Sequence, residues 1–163
     1  IIIYFDTALH INIINRRRPG GDMEKKLKHL ELIQGVINRM AHCSFLLKGW
    51  SVILVSGLFA LAAKEANPLF VYLAYLPVIA FWVLDGYYLY QERLYRQLYS
   101  KVRKMEASNI DFEMNANSFN GKDGCTWSGS IMSKTMFLFH GILVLTVIIV
   151  MFVCLTIKGG ANG

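Results

Sequence analysis

Arg39, His42 and Cys43 stand together in the stretch NRMAHCSFLLKGW, residues 38–50, directly ahead of a strongly apolar run. Residues three apart on a helix share a face, so Arg39 and His42 would set a fixed cation beside a titratable imidazole. That is either a small catalytic constellation or a basic collar where a helix enters a membrane. Long basic side chains are favoured at such an edge, with the apolar stem buried and the charge among the headgroups, and the flanking sequence favours the collar. Cys43 adds no nucleophile, because neighbours on a helix point about 100° apart and do not readily share a proton. A structural or palmitoylated cysteine fits it better.

Two other residues are chemically out of place. Asp85 lies within FWVLDGYYLY, and His140 is the sixth residue of TMFLFHGILVLTVIIVMFVCLTI. An ionised carboxylate in an apolar span is expensive and normally faces a bundle interior, water or a basic partner. Asp85 is therefore either a pore-lining or gating group, or one half of a structural pair with Arg93 or a neighbouring protomer. His140 is either a pH-sensitive group facing an aqueous lumen or a hydrogen-bonded histidine between packed helices. Asp85, His140, Arg39 and His42 are the pore or gating candidates.

The rest of the chain offers little chemistry. No Gly-rich phosphate loop, HExxH, GxSxG or paired catalytic carboxylate is present. Cys43, Cys125 and Cys154 are odd in number and far apart, with no zinc-ligand spacing. We expect no enzymatic activity, no cofactor and no metal.

The elements that carry these residues are read from apolar periodicity. Hydrophobic residues make up 55% of the 163, above the roughly 45–50% of soluble domains, which points to a membrane protein. From Glu24 to Leu47 the apolar residues Leu27, Leu30, Ile33, Ile37, Met40 and Leu47 step by threes and fours, with Ser44 a small exception, as on an amphipathic helix. GWSVILVSGLFALAA, with CSFLL ahead of it, gives about twenty residues, enough to cross a bilayer, and Lys48 is the one charge there, able to snorkel. Gly49, Ser51, Ser56, Gly57, Ala60 and Ala63 on this first span permit close helix approach, although no strict GxxxG is present.

KEANP then breaks the run, with Asn67 as helix N-cap and Pro68 at the first helical position. The second span, Leu69 to Tyr90, would be roughly 33 Å long, with a kink at Pro77. Beyond Tyr90 the helix turns amphipathic, Leu94, Leu98 and Val102 on one face, and continues to about Met105. Residues 106–134 read as a polar, mostly irregular segment, with IDFEM as a short strand. Thr135 to Ile157, free of Asp, Glu, Lys and Arg, is the third span.

Seventeen Lys and Arg against eleven Asp and Glu give +6, and their placement is informative. Five lie from Met23 to Lys48 and seven in the 91–134 segment, while the turn between the first two spans holds Lys64 alone and the tail Lys158 alone. The positive-inside rule puts the N-terminus and residues 91–134 in the cytoplasm. Tyr87, Tyr88 and Tyr90, beside the basic run that follows, fit an aromatic belt at the same edge.

The stretches HLELIQGVINRMAHCSFLLKGWSVILVSGLFALAAKEANP and FWVLDGYYLYQERLYRQLYSKVR resemble small bacterial defence-associated membrane proteins. These are the SLATT-like two-span effectors of nucleotide-signalling systems and the membrane accessory protein of type VI-B CRISPR systems. The likeness covers residues 24–104, and SKTMFLFHGILV less firmly. It implies a homo-oligomeric pore in the bacterial inner membrane, of six or more copies with an octamer as one option, that perturbs membrane integrity during antiphage defence. The Arg39–His42 pair also resembles the Arg and His of HEPN-type ribonucleases. That motif separates the two further, whereas here only Met40 and Ala41 intervene, which argues against RNA cleavage.

The expectation is thus an all-α integral membrane protein with three transmembrane helices and long cytoplasmic helical extensions. Its parts are a leader at 1–22, non-native or disordered since Met23 looks like a natural start; an amphipathic helix at 23–47; a transmembrane hairpin at 48–90; a cytoplasmic extension and polar segment at 91–134; a third transmembrane helix at 135–157; and a tail at 158–163. Six or more copies would enclose a path that one protomer cannot, with the lipid bilayer around them. Opening would follow displacement of the coupling helix, through Arg93, Tyr95, Arg96, Tyr99 and Arg103. The alternative is a non-conducting membrane anchor that recruits a cytoplasmic effector or RNA-bound partner through the basic 91–104 face, with no direct sequence-specific nucleic-acid binding. A membrane-tethered ribonuclease is the weakest reading.

Overall fold

The computed structural model describes residues 19–65 and 67–160; residues 1–18 of the leader, Ala66 and 161–163 of the tail lie outside the described residues. Helix α1 runs Pro19–Glu65, 47 residues, about 70 Å at 1.5 Å per residue. It begins ahead of Met23, with proline at its start, where a missing N–H costs nothing. No further proline follows until Pro68, so the amphipathic and apolar parts form one rod. Its buried residues His29, Ile33, Ile37, Ser44, Ser51, Val55 and Ala62 step by fours and sevens. That is the narrow seam of helices packed with nearly parallel axes.

The turn that follows is short. Asn67 Oδ1 accepts the amide of Leu69 at 3.0 Å, so the asparagine caps the next helix as its position suggested. Helix α2 is a single short segment, Leu69–Leu73, and α3 runs Tyr75–Lys104, 30 residues. The break between them falls at Ala74 because Pro77 offers no N–H to the carbonyl of Leu73 and crowds it; the kink expected at Pro77 is this break. Helix α3 returns antiparallel along α1 and ends with Met105 extended, at φ −69° and ψ 151°.

Residues 106–126 contain no strand; IDFEM is part of an irregular segment that also carries short 3₁₀ turns at Ala107–Asn109, Asn117–Phe119 and Lys122–Gly124. The segment is nonetheless packed. Ala116 and Cys125 join Ile33, Ile37, Leu94, Leu98 and Val102 in one apolar cluster, with Ile110, Met114 and Phe119 against it. Its backbone is tied locally by side chains: Asp111 accepts the amide of Glu113, Glu113 that of Asn115, and Asn115 that of Asn117. It is pinned to α1 by Lys26, which donates to the Met105 carbonyl at 2.7 Å, and by His29, which donates to the Glu113 carbonyl at 3.0 Å. Phe112, in the left-handed region at φ 57°, is held there by its ring against the buried His29 imidazole, 5.3 Å between centroids.

The amide of Glu113 holds the Asp111 carboxyl below its ordinary value. A depressed carboxylate contributes above its unfolded value and loses that contribution as pH falls through the folded one. The brace is therefore fully present at neutral pH and is lost only in acid.

Gly121 and Gly124 turn the chain with φ of 76° and 74°, a region only glycine enters freely. Thr126 then caps α4, Trp127–Ile131, by accepting the Gly129 amide at 3.1 Å. Helix α5, Lys134–Gly160, runs back along the hairpin. A second apolar cluster joins Val55 and Ala62 of α1, Val71 of α2, Val78 of α3 and Val147 of α5.

The described residues are all-α, and three helices are long and apolar enough to cross a membrane by length and composition. Leu76, Leu138, Leu145 and Phe152 are among the large apolar side chains on the outer surface. An apolar exterior this extensive marks a surface that meets lipid or another protein chain.

Candidate functional site

Between the two apolar clusters, in chain position, lies a polar knot drawn from all three long helices. Helix α1 supplies Ser44 and Lys48, one turn apart on one face; α3 supplies Asp85; α5 supplies His140. Asp85 and His140 are fully buried, while the Lys48 side chain is 20% exposed. The knot therefore has one edge toward the outside, at Lys48.

Asp85 acts as an acceptor from three sides. The Ser44 hydroxyl donates to its Oδ1, and the Lys48 ammonium lies 2.6 Å from Oδ2. His140 Nε2 donates to Oδ2 at 3.0 Å. Lys48 also donates to the Ser44 hydroxyl at 2.8 Å, so Ser44 relays between cation and anion. Moving ions into an apolar interior costs several kcal/mol each; this many charge-assisted bonds is what offsets that cost. With His140 neutral, the knot carries one positive and one negative charge.

Aromatic rings wall it in. The Trp82 indole stacks on the His140 ring at 5.7 Å with an 8° interplanar angle, and Phe139 meets it edge-on at 5.1 Å. Trp82 Nε1 donates to the Ile131 carbonyl at 3.2 Å, which fixes the indole against α4. At Gly86, next to Asp85, a Cβ would stand 2.3 Å from Ile131 Cγ1 and 3.2 Å from its Cα. Only glycine lets α4 approach α3 this closely, and α4 in turn delivers α5. His140 Nδ1 is buried without a hydrogen-bond partner.

The structure brings together two of the four pore or gating candidates, Asp85 and His140. Arg39 and His42 are elsewhere, exposed on the outer surface of α1. Asp85 pairs with Lys48; Arg93 instead reaches the Gly129 carbonyl at 3.4 Å and the Ser130 hydroxyl at 3.3 Å on α4. Tyr95 and Tyr99 pack against the polar-end cluster. Arg96 pairs with Glu92 on the surface at 2.7 Å, and Arg103 is exposed.

Three members of the knot escaped the sequence reading. Lys48 reads as a snorkelling cation and Ser44 as a gap in an apolar stripe, yet their four-residue spacing was the available signal. Trp82 looks like any aromatic of an apolar run. The arrangement ties three helices together at one buried point, through Ser44 and Lys48 of α1, Asp85 of α3 and His140 of α5.

Compared with protein-family models, curated proteins and solved structures, the chain matches none.

Proposed function

We propose that this protein is a self-associating membrane effector, copies of which meet along α1 to form a pore-like ring that perturbs the inner membrane. The observation that carries this reading is the outer stripe of α1. Gly35, Arg39, His42, Leu46, Gly49, Ile53, Gly57, Ala60 and Lys64 recur at three- and four-residue steps with Ser56 beside Gly57, and all are exposed. A Cβ added at Gly35, Gly49 or Gly57 would meet nothing within 4 Å. Each such glycine costs a helix about 0.5–1 kcal/mol relative to alanine and serves no contact inside the protomer. Close approach of a second helix would use all three.

In this reading the basic N-terminal half of α1 and residues 91–134 face the cytoplasm, as the positive-inside rule favours. Arg39 and His42 of each copy then ring the cytoplasmic mouth. The break at Ala74 is the point about which α3 tilts, moved by the segment packed on its far end. Six or more copies are required, and the antiphage setting rests on the resemblance of residues 24–104 alone.

The test is the mass of the detergent-solubilised particle, with dye release from vesicles. Wild type should be a particle of six or more copies that leaks dye. Gly49→Leu and Gly57→Leu, both exposed and harmless to the protomer, should reduce the particle toward monomer and abolish leakage. A monomeric wild type, or leucine variants of unchanged mass, would sink the proposal.

One observation favours the anchor reading: Lys101, Arg103 and Lys104 are exposed together at the end of α3. An acidic or RNA-bound partner held there would be released by salt, since exposed charges are screened beyond about 10 Å at 0.1 M. Pull-down from lysate at low and high salt, against Arg103→Glu/Lys104→Glu, checks this. Binding that resists both salt and substitution would count against it.

A further inference from the structure

The knot contains one polar atom that no described residue uses. Both oxygens of Asp85 are occupied by donors, Lys48 donates to Asp85 and Ser44, and the Ser44 hydroxyl both gives and receives. With the His140 proton on Nε2, where it faces Asp85, Nδ1 presents a bare lone pair, buried and unpartnered. It is the free basic position in the cluster.

We propose that His140 Nδ1 is a proton-binding site whose occupancy releases α5 from the α1–α3 hairpin. This inference goes beyond the pore reading and stands on the knot alone; if the ring exists, the proton is a signal that opens it.

The argument is one of charge and donors. A proton at Nδ1 turns the imidazole into a second cation beside Lys48, with Asp85 the sole carboxylate between them. It also creates a buried N–H with no acceptor, which is the costly kind of unpaired polar group. The groups facing His140 offer little relief. From α1 come Lys48 and the Ser44 hydroxyl, and from α3 come Asp85 and Trp82. Behind Trp82, the Ile131 carbonyl of α4 is already taken by the indole N–H, and α5 itself adds Phe139. The indole face gives an imidazolium a favourable cation–π contact, but it supplies no acceptor and leaves the charge excess unbalanced. Displacing α5 would let water reach Nδ1 and leave Lys48 and Asp85 paired as before.

The remaining hold on α5 is modest. Its buried side chains are Met136, His140 and Val147, and most of its others are on the outside. The Lys48 edge, partly open, is the route by which a proton arrives.

Trp82 stacks directly on the imidazole and reports its charge, because a protonated imidazole quenches indole emission. In lipid nanodiscs, a Trp50→Phe/Trp127→Phe background leaves Trp82 as the sole indole. Its emission should fall as pH is lowered from about 8 to about 5, and His140→Gln, whose amide can still donate to Asp85, should abolish the response. In the same series, nitroxides placed on the outward-facing positions 53 of α1 and 149 of α5 should move apart in wild type and stay in place in His140→Gln.

An emission that ignores pH in wild type overturns the proposal whether or not the glutamine variant folds. So does a titrating emission with no change in the α1–α5 distance, and so does an identical response in wild type and His140→Gln. Dye release plays no part in these readouts, so their failure is separable from failure of the pore reading.

Discussion

Asp85→Ala should be the most damaging single change in the apolar part of the protein, lowering its stability by about 3–5 kcal/mol, the usual result of removing one member of a buried ion pair. The cause is what remains. Lys48 would keep its charge with only the Ser44 hydroxyl for company, and His140 Nε2 would lose its acceptor. The rings beside them, Phe139 near Lys48 and Trp82 on His140, offer π faces but no anionic or hydrogen-bond acceptor in place of the carboxylate. Reversible unfolding in mixed micelles measures the loss directly.

A paired substitution separates this account from simple loss of packing. Removing both charges of a buried pair and keeping the volume is often neutral or stabilising, so Asp85→Leu/Lys48→Met should recover a large part of what Asp85→Leu loses. The two positions touch, so their effects should not add. Additive losses would mean that the Lys48–Asp85 contact does not carry the stability assigned to it.

Gly86→Val should be the second most damaging change, because it forces matter into an occupied place. The first added carbon already stands 2.3 Å from Ile131 Cγ1 and 3.2 Å from the Ile131 backbone. Ile131 is branched at Cβ and has few ways to withdraw. Overpacking of this kind costs about 1–3 kcal/mol, and here it pushes α4 as a body away from α3. The Trp82–Ile131 bond and the Arg93 contacts to Gly129 and Ser130 would go with it. Faster proteolysis in the 121–126 turn, together with a lower unfolding midpoint, is the expected signature. Ile131→Ala should relieve Gly86→Val in part, since Cγ1 is the nearest obstacle but not the only one. A valine variant with wild-type proteolysis and melting would show that α4 is not seated on Gly86 in solution.

Why some of this could be read from residues and some not has a physical basis. The apolar runs were plain because a bilayer-length stretch without charge has few other uses. Asn67, Pro68 and Pro77 were plain because their chemistry is local: a side chain reaching two residues on, and a missing N–H. Asp85 and His140 were conspicuous as titratable groups in apolar surroundings. Their meeting was hidden, since it depends on which faces of α3 and α5 turn toward each other, and no spacing along one chain encodes that.

Arg93 was the natural guess for a partner to Asp85 because it lies nearby in sequence on the same helix. Lys48 won because the antiparallel hairpin brings α1 alongside, and Arg93 found carbonyl and hydroxyl acceptors on α4. Residues 106–126 hid their order for a different reason. Ile110, Met114, Ala116, Phe119 and Cys125 feed a core at irregular intervals, and the backbone between them is braced by Asp, Glu and Asn side chains in place of a repeating ladder. Periodicity has nothing to detect there.

The order in which the knot's members occur along the chain has its own consequence. A ribosome releases the N-terminal part first, so Ser44 and Lys48 emerge, then Asp85, and His140 only after another 55 residues. When the hairpin closes, Asp85 already has its cation and its hydroxyl, and the nascent two-helix unit is electrically balanced at its buried point. The third helix arrives to a finished partner and adds one further donor, His140 Nε2. Biogenesis therefore never has to carry an unpaired carboxylate through the time it takes to make the last helix, and His140 serves as the closing stitch.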